Sequence, residues 1–292
     1  MKNPHLIRRF TDHVIRNKYR YVALALAVLL CKCTAEIAGG MWADSLECNT
    51  TTLPAEALPG AGPLRIALIT DLHNVSGRLE KVVQELEAQK PDLILFGGDL
   101  VTAEERFRRT RWAVTGFRRL AAIAPTYAVL GNHDYEKQEQ VERVYATAGV
   151  TLLRNQAVDL QTPAGGKLKL VGLGDWNEGD EKPQLCLAPK GEDATAVLLL
   201  SHDPESRWLL REYDWDLMLS GHNHGGQLGI PFTDIYLSFR SSMPAGLFDF
   251  EEGRRVLVSR GVGSILNMRF FCTPEINIIE LAPEPQPRPL SD

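Results

Sequence analysis

Cysteine is scarce in this chain. The five present, Cys31, Cys33, Cys48, Cys186 and Cys272, are odd in number and widely spaced apart from the first pair. That excludes zinc-finger spacing, a core of this size needs no disulfide framework, and free or buried thiols are the ordinary reading. Lipidation at Cys31 or Cys33, which border an apolar run, is the alternative. Basic charge is also short: the net charge is −5 and the pI is near 5.9. This balance argues against nucleic acid as a partner and against a nuclease. It does not exclude a small phosphate ester, because bound cations set the local field in such sites. There is no internal repeat. What remains is an ordinary globular composition, 44% hydrophobic and 24% charged over 292 residues. That suffices for one large α/β domain with a short extension, or for two small domains.

The first 42 residues differ from the rest. Lys2, Arg8, Arg9, Arg16, Lys18 and Arg20 make the start basic, and Leu6, Phe10 and Val14 recur as on one helical stripe. An apolar run, Tyr21–Leu30, follows. A spanning helix needs ~20 apolar residues, and this run reaches that only if Thr34–Trp42 extends it. A cleaved signal peptide and a basic helix lying on a membrane are the other readings. Attachment to a membrane, the cell inner membrane, is preferred over export after cleavage, with the side left open. Residues 43–63 read as a connection holding at most one strand, punctuated by Pro54, Pro59, Gly60, Gly62 and Pro63. A globular domain is expected over 64–281. Residues 282–292, with four prolines, are expected to be a disordered tail.

Within the domain, apolar runs alternate with helical patterns. Strands are expected at Leu64–Thr70, Asp92–Phe96 and Thr126–Leu130, and helices at Val75–Lys90, Ala103–Ala122 and Tyr135–Ala148. This rhythm implies a parallel sheet with crossover helices. From Thr151 onward short strands dominate: Leu168–Gly172, Ala196–Leu200, Leu217–Ser220, Val256–Ser259 and Ile276–Leu281. A second sheet packed on the first accounts for them.

The chemistry-bearing residues follow the apolar runs. The first ends in Asp71-Leu72-His73, the second in Gly97-Gly98-Asp99 and the third in Gly131-Asn132-His133-Asp134. Two later runs end in Ser201-His202-Asp203 and Gly221-His222-Asn223-His224-Gly225-Gly226. Ligands of open α/β sheets bind beyond the carboxyl ends of strands. Of seven histidines, only His5 and His13 lie elsewhere. Taken singly, each motif has an ordinary explanation. Asp71 or Asp99 could cap a helix, Gly131-Asn132 could be a simple turn, and one histidine at a strand end is more often a core residue than a ligand. Jointly they would require five coincidences on one sheet edge. Carboxylates, an amide oxygen and imidazoles suit Mn²⁺, Fe or Zn²⁺, with Mn²⁺ the preferred expectation, and the absence of thiolates argues against a closed structural zinc site.

In this order, Asp-x-His, Gly-Asp, Gly-Asn-His-Asp, a lone His and Gly-His-x-His resemble the calcineurin-like metallophosphoesterase superfamily. The resemblance covers residues 64–281 and implies a four-layer αββα sandwich of two mixed β-sheets. It implies two divalent metal ions: Asp71, His73 and His224 on one, Asn132, His202 and His222 on the other, and Asp99 bridging. It gives His133 a phosphate-contacting and proton-donating role, and Asp134 an orienting role. Gly221–Gln227, Ile230-Pro-Phe232, Ala245-Gly-Leu247, Ser259–Gly263 and Arg269-Phe-Phe271 are similar to the YaeI/YkuE-like phosphodiesterase branch, although Asn223 stands where that branch often has Thr. That branch includes LpxG-like enzymes, which cleave the pyrophosphate of UDP-2,3-diacylglucosamine in lipid A synthesis.

The expectation is therefore a di-metal phosphodiesterase or pyrophosphohydrolase at a membrane, acting on a small phosphate ester such as a nucleotide-linked lipid. Rival readings are a phosphomonoesterase with the same site and a non-catalytic binding scaffold. The loop Asp175–Pro189, with Trp176 and Leu185, and the region Phe232–Phe248 are candidate lipid contacts, or ordinary packing. Native metal, exact ester and oligomeric state are not legible.

Overall fold

A computed structural model describes residue 34 and residues 43–102, 110–193, 195–238, 241–264 and 268–283. The basic and apolar leader apart from Thr34, the beginning of the helix expected over 103–122, and the tail from 284 lie outside the described residues.

Among the described residues twelve strands, numbered in chain order, form two six-stranded sheets. The first holds β1 (Glu47–Leu53), β12 (Glu275–Leu281), β2 (Leu64–Ile69), β3 (Leu93–Phe96), β4 (Thr126–Ala128) and β5 (Thr151–Leu152), in that spatial order. Here β2 through β5 run parallel, β12 is antiparallel to β2, and β1 is parallel to β12. The second sheet runs β10 (Gly246–Asp249), β11 (Arg255–Val258), β9 (Leu217–Ser220), β8 (Val197–Leu200), β7 (Lys167–Gly172), β6 (Gln156–Gln161), antiparallel only at its two edges. The expected pair of mixed sheets is therefore observed. Each parallel stretch points the carboxyl ends of its strands the same way, which creates one rim for side chains.

The first sheet is backed by α1 (Ser76–Gln89), α2 (Arg111–Ile123) and α3 (Gln138–Ala148). Leu79, Val82, Val83 and Leu86 bury one face of α1, the stripe that the sequence spacing implies. The helix stops at Lys90, whose left-handed φ of 49° lets its N–H bond Leu86 O, and Pro91 cannot continue it. Phe117 meets Phe96 and Tyr145 edge to face beneath the helices, with ring centroids 5.0 and 5.3 Å away, and Phe96 and Tyr145 are tilted against each other at 6.1 Å. Between the sheets, Ile66, Leu68 and Leu95 face Leu170, Leu198 and Leu219. The far face of the second sheet is covered differently. There the layer is a 3-10 segment, Pro204–Glu212, with Leu210 and Trp215 over Leu199, Met218 and Val256.

Some elements depart from the sequence reading. The helix expected from Tyr135 is preceded by a 3-10 stretch, Asn132–Lys137, and turns α-helical only at Gln138. The Asp134 carboxylate tightens that first stretch by accepting from Gly131 N at 3.0 Å and Val101 N at 3.1 Å. β5, β6 and β10 were not legible, being short, largely exposed strands with little apolar periodicity. β1 is the one strand that the reading of 43–63 allowed.

Candidate metal centre

The rim residues sit on turns that only unusual backbone geometry can make. Asp71, His73, Asp99, His222 and His224 all have positive φ, between 47° and 68°. Non-glycine residues rarely adopt this region, and such residues gather where a site over-determines the chain. Here cross-links impose it: Asp71 N bonds Gly98 O at 2.9 Å, His73 N bonds Asp99 O at 3.1 Å, and Gly263 N bonds Asp71 O at 2.7 Å. Gly131 and Gly221 let these turns close. A Cβ at Gly131 would lie 2.3 Å from Asp99 Oδ1, and one at Gly221 would lie 2.0 Å from Thr70 Oγ1 and 2.4 Å from Asp71 Oδ2.

The side chains converge. His73 Nε2 and His224 Nε2 are 3.1 Å apart. Asp71 Oδ1 lies 3.4 Å from His224 Nε2 and 3.9 Å from His73 Nε2. Across the cluster, His202 Nε2 is 3.2 Å from His222 Nδ1. Asp99 Oδ2 stands between the two groups, 3.6 Å from His73 Nε2 and 3.3 Å from His202 Nε2. Asp71, His73 and His224 can present donors within 4.8 Å of one another, as can Asp71, Asp99 and His202. His133 donates its backbone N–H to Asp99 Oδ1 at 2.9 Å, and its ring meets that of His73 edge-on with centroids 5.3 Å apart. Asn132 Oδ1 is buried without a hydrogen-bond partner. Asp134 is buried behind the turn rather than facing the cluster's donors, holding the Gly131 and Val101 amides.

The electrostatics follow from burying two carboxylates among imidazoles. Burial alone would raise the Asp71 carboxyl, but the fields of His224, His202 and His73 bring it below the usual range. Asp99 is lowered likewise, burial being outweighed by His202 and His73. Burial depresses His73, and takes His224 down to about 3, so both rings are neutral and keep a lone pair for a cation. His202 goes the other way: against burial, Asp99 holds its proton well above the ordinary range. Burial and the Asp99 charge push Asp134 up to about 8, against its two amide donors. Two buried carboxylates, the neutral imidazoles of His73 and His224 and the unpartnered Asn132 oxygen, with His202 and His222 beside them, form a donor set that fits two divalent cations, one of which would take the place of the proton on His202.

Several supporting residues were not legible in the sequence. Asp203 Oδ2 lies 3.6 Å from His222 Nε2, on the side away from His202, and accepts from Asn177 Nδ2 at 2.8 Å. His202 Nδ1 lies 2.7 Å from Gly97 O, which fixes the ring with Nε2 inward. Arg269, fully buried, reaches to 3.1 Å from His224 Nδ1 and donates to Arg260 O at 2.7 Å. Cys272 donates through Sγ to His224 O at 3.2 Å. Asp203 adjoins a motif histidine, and that adjacency was its one sequence signal. Arg269 and Cys272 arrive from far along the chain.

Comparison with known proteins agrees with this geometry. Residues 64–226 match the family model for calcineurin-like phosphoesterases. Phosphodiesterase YaeI of Escherichia coli K12 is 37% identical over 231 residues, 76% of this chain and 83% of that protein. The metallophosphoesterase YkuE of Bacillus subtilis 168 is 26% identical, over 81% of this chain and 85% of its own length. The UDP-2,3-diacylglucosamine pyrophosphatase LpxG of Chlamydia muridarum is 24% identical, over 84% of this chain and 93% of its own.

Proposed function

Since this chain belongs to the calcineurin-like phosphoesterase family and is a metal-dependent phosphoric ester hydrolase, we propose that it is a membrane-associated phosphodiesterase or pyrophosphohydrolase. Its substrate class is a small phosphate ester joined to a lipid, with UDP-2,3-diacylglucosamine as the leading compound. The convergence of His73, His224, His202 and His222 around Asp71 and Asp99 carries the hydrolytic reading. In it, Asp71, His73 and His224 hold one divalent cation, and Asn132, His202 and His222 hold the other. Asp99 is shared, which its place between the two groups supports. Mn²⁺ is the proposed ion, with Fe or Zn²⁺ next; oxygen and imidazole donors accommodate all three. When bound, two such ions activate water and offset the charge that develops on phosphorus-bound oxygens.

The chain's own residues do the rest. The His133 backbone is tied to Asp99, and its ring, edge-on to His73, belongs to a partly exposed residue at the rim. From there it contacts a non-bridging phosphate oxygen and donates a proton to the leaving oxygen. Asp134 keeps the Gly131 turn closed, so that Asn132 and His133 stay in register with Asp99. Asp203 orients His222 through its outer nitrogen.

Membrane association rests on the basic and apolar residues 1–42, and the lipid substrate on likeness to the LpxG protein. Among the described residues, no helix is long and apolar enough to cross a membrane. The test is metal analysis of the purified protein with a panel of bis(p-nitrophenyl) phosphate, p-nitrophenyl phosphate and UDP-2,3-diacylglucosamine. The expected result is bound divalent metal, turnover of the aryl diester above the monoester, and the lipid nucleotide best of all. Preference for the monoester would make the protein a phosphomonoesterase. An aryl diester better than the lipid nucleotide would remove the lipid assignment alone.

A further inference from the structure

Immediately after the turn that carries His224, the chain folds into a small hairpin, Leu228–Leu237. Gly229 pairs with Tyr236, Leu237 N bonds Leu228 O at 2.8 Å, and Ile230 N bonds Ile235 O at 2.9 Å. Thr233 closes the tip, donating through N and Oγ1 to Ile230 O and accepting from Ile235 N. This well-bonded loop displays apolar side chains. Phe232 is fully exposed, Ile235 is more than half exposed, and Leu228, Ile230, Leu237 and the adjoining Phe271 are each exposed by more than a third. Phe232 also has a φ of 63°, a conformation that a bulky side chain takes only where its surroundings hold it. Soluble proteins scatter exposed apolar residues singly, and a contiguous group marks a contact surface.

The hairpin is fixed to the rest of the rim. A Cβ at Gly229 would lie 2.0 Å from Phe271 O and one at Gly226 1.9 Å from Leu237 O, so hairpin and neighbouring segment touch backbone to backbone. Tyr236 OH accepts from Arg260 Nη1 at 2.8 Å, while Arg260 Nη2 pairs with Glu47 at 2.9 Å and Glu275 at 2.7 Å. The same guanidinium thus ties the hairpin to the first residue of β1. Register gives the direction. β2 runs toward Asp71, β12 is antiparallel to it, and β1 is parallel to β12 with Glu47 opposite Glu275. The chain therefore enters the sheet at its metal-rim end, beside the hairpin. The residues preceding that entry include the six basic positions of the first twenty and the apolar run 21–30.

We propose that the Leu228–Leu237 hairpin, with Phe271, is a membrane-docking surface. Phe232, Ile230 and Ile235 enter the interfacial layer of a bilayer, and the metal rim then faces the phosphate of a lipid-linked ester. The occupant is a lipid surface because the leader segment, basic then apolar, joins the fold at this same end. The proposal rests on the membrane-associated hydrolase reading above, and its test separates the two.

The test uses the full chain with vesicles of phosphatidylethanolamine and phosphatidylglycerol. In the Phe232→Trp variant, the emission added to that of the five native tryptophans should shift to the blue and be quenched by lipids brominated along the acyl chain. A second variant, Phe232→Asp with Ile235→Asp, should lose roughly tenfold or more in turnover of a diester presented in vesicles, since burial of two large apolar groups is forfeited. Its turnover of soluble bis(p-nitrophenyl) phosphate should stay unchanged. Added emission that bromolipid does not quench would overturn the proposal. So would a concentration-dependent dimer abolished by the double variant, which would assign the face to a second copy. Quenching in a protein that hydrolyses no diester would uphold docking and sink the hydrolase reading instead.

Discussion

The half of the rim carried by the first sheet differs from the half carried by the second in what stands behind it. Asp71, His73, Asp99 and Asn132 follow strands backed by α1, α2 and α3, and the side chains of Asp71 and His73 are wholly buried. His202, His222 and His224 follow strands whose outer cover is a 3-10 segment and loops, and the His222 side chain is 26% exposed. The proposed ligands of both halves sit on turns that glycines allow to interlock, Gly131 against Asp99 and Gly221 against Asp71. Those of the second half also have side-chain buttresses, Asp203 for His222 and Arg269 with Cys272 for His224. The helix-backed half therefore carries the shared charge, and the half with the more exposed His222 is the more loosely covered of the two.

That contrast can be broken most severely at its centre. Asp99→Asn removes the carboxylate proposed to be shared by both cations. Turnover should fall by roughly 10³-fold or more, several kcal/mol of transition-state stabilisation, and metal content measured by mass spectrometry should drop with it. Normal metal content and turnover would dismantle the bridging assignment. Next comes His133→Ala, which leaves every proposed ligand in place. Metal should stay bound while turnover drops by about 10²–10⁴-fold, and a steady rate would take His133 out of the reaction. Asp203→Asn probes the looser half: asparagine can still accept from Glu205 N, as Asp203 Oδ1 does at 2.8 Å, but cannot offer His222 a charge. Affinity for metal should weaken by about 10–100-fold, read by titration against a chelator, with melting temperature little changed.

The smallest effect concerns stability alone. Glu181 is mostly buried near Asp175 and Asp203, and burial pushes its carboxyl up to about 7 from an ordinary 4.5. A carboxyl raised in the fold binds its proton more tightly folded than unfolded. Its stabilising share is complete below pH 4.5 and drains away as pH rises toward 7, by up to ~3 kcal/mol. Glu181→Gln should flatten the melting temperature between pH 5 and 8. An unchanged slope would show that Glu181 is ionised in the fold.

Much of this architecture could be read from the chain because two signals coincide. Apolar runs such as Leu64–Thr70 and Leu217–Ser220 mark buried parallel strands, and the polar residues directly after them sit where such strands end. Asp71, Asp99, His202 and His222 were visible for that reason. Edge strands such as Gln156–Gln161 left no trace, since pairing rather than pattern makes them strands. Arg269 was invisible as a support because it meets His224 across 45 positions of sequence. Cys272 read as an ordinary buried thiol, and only the folded chain shows it donating to His224 O.

The side-by-side pairing of β1 with β12 has a practical corollary. Because both strands run the same way, the polypeptide comes in at one pole of the domain and departs at the other, with Leu281 opposite Leu64. A fluorescent protein or surface tether joined after Pro283 would hang from the pole remote from the histidines. The same cargo spliced in ahead of Glu47 would crowd them.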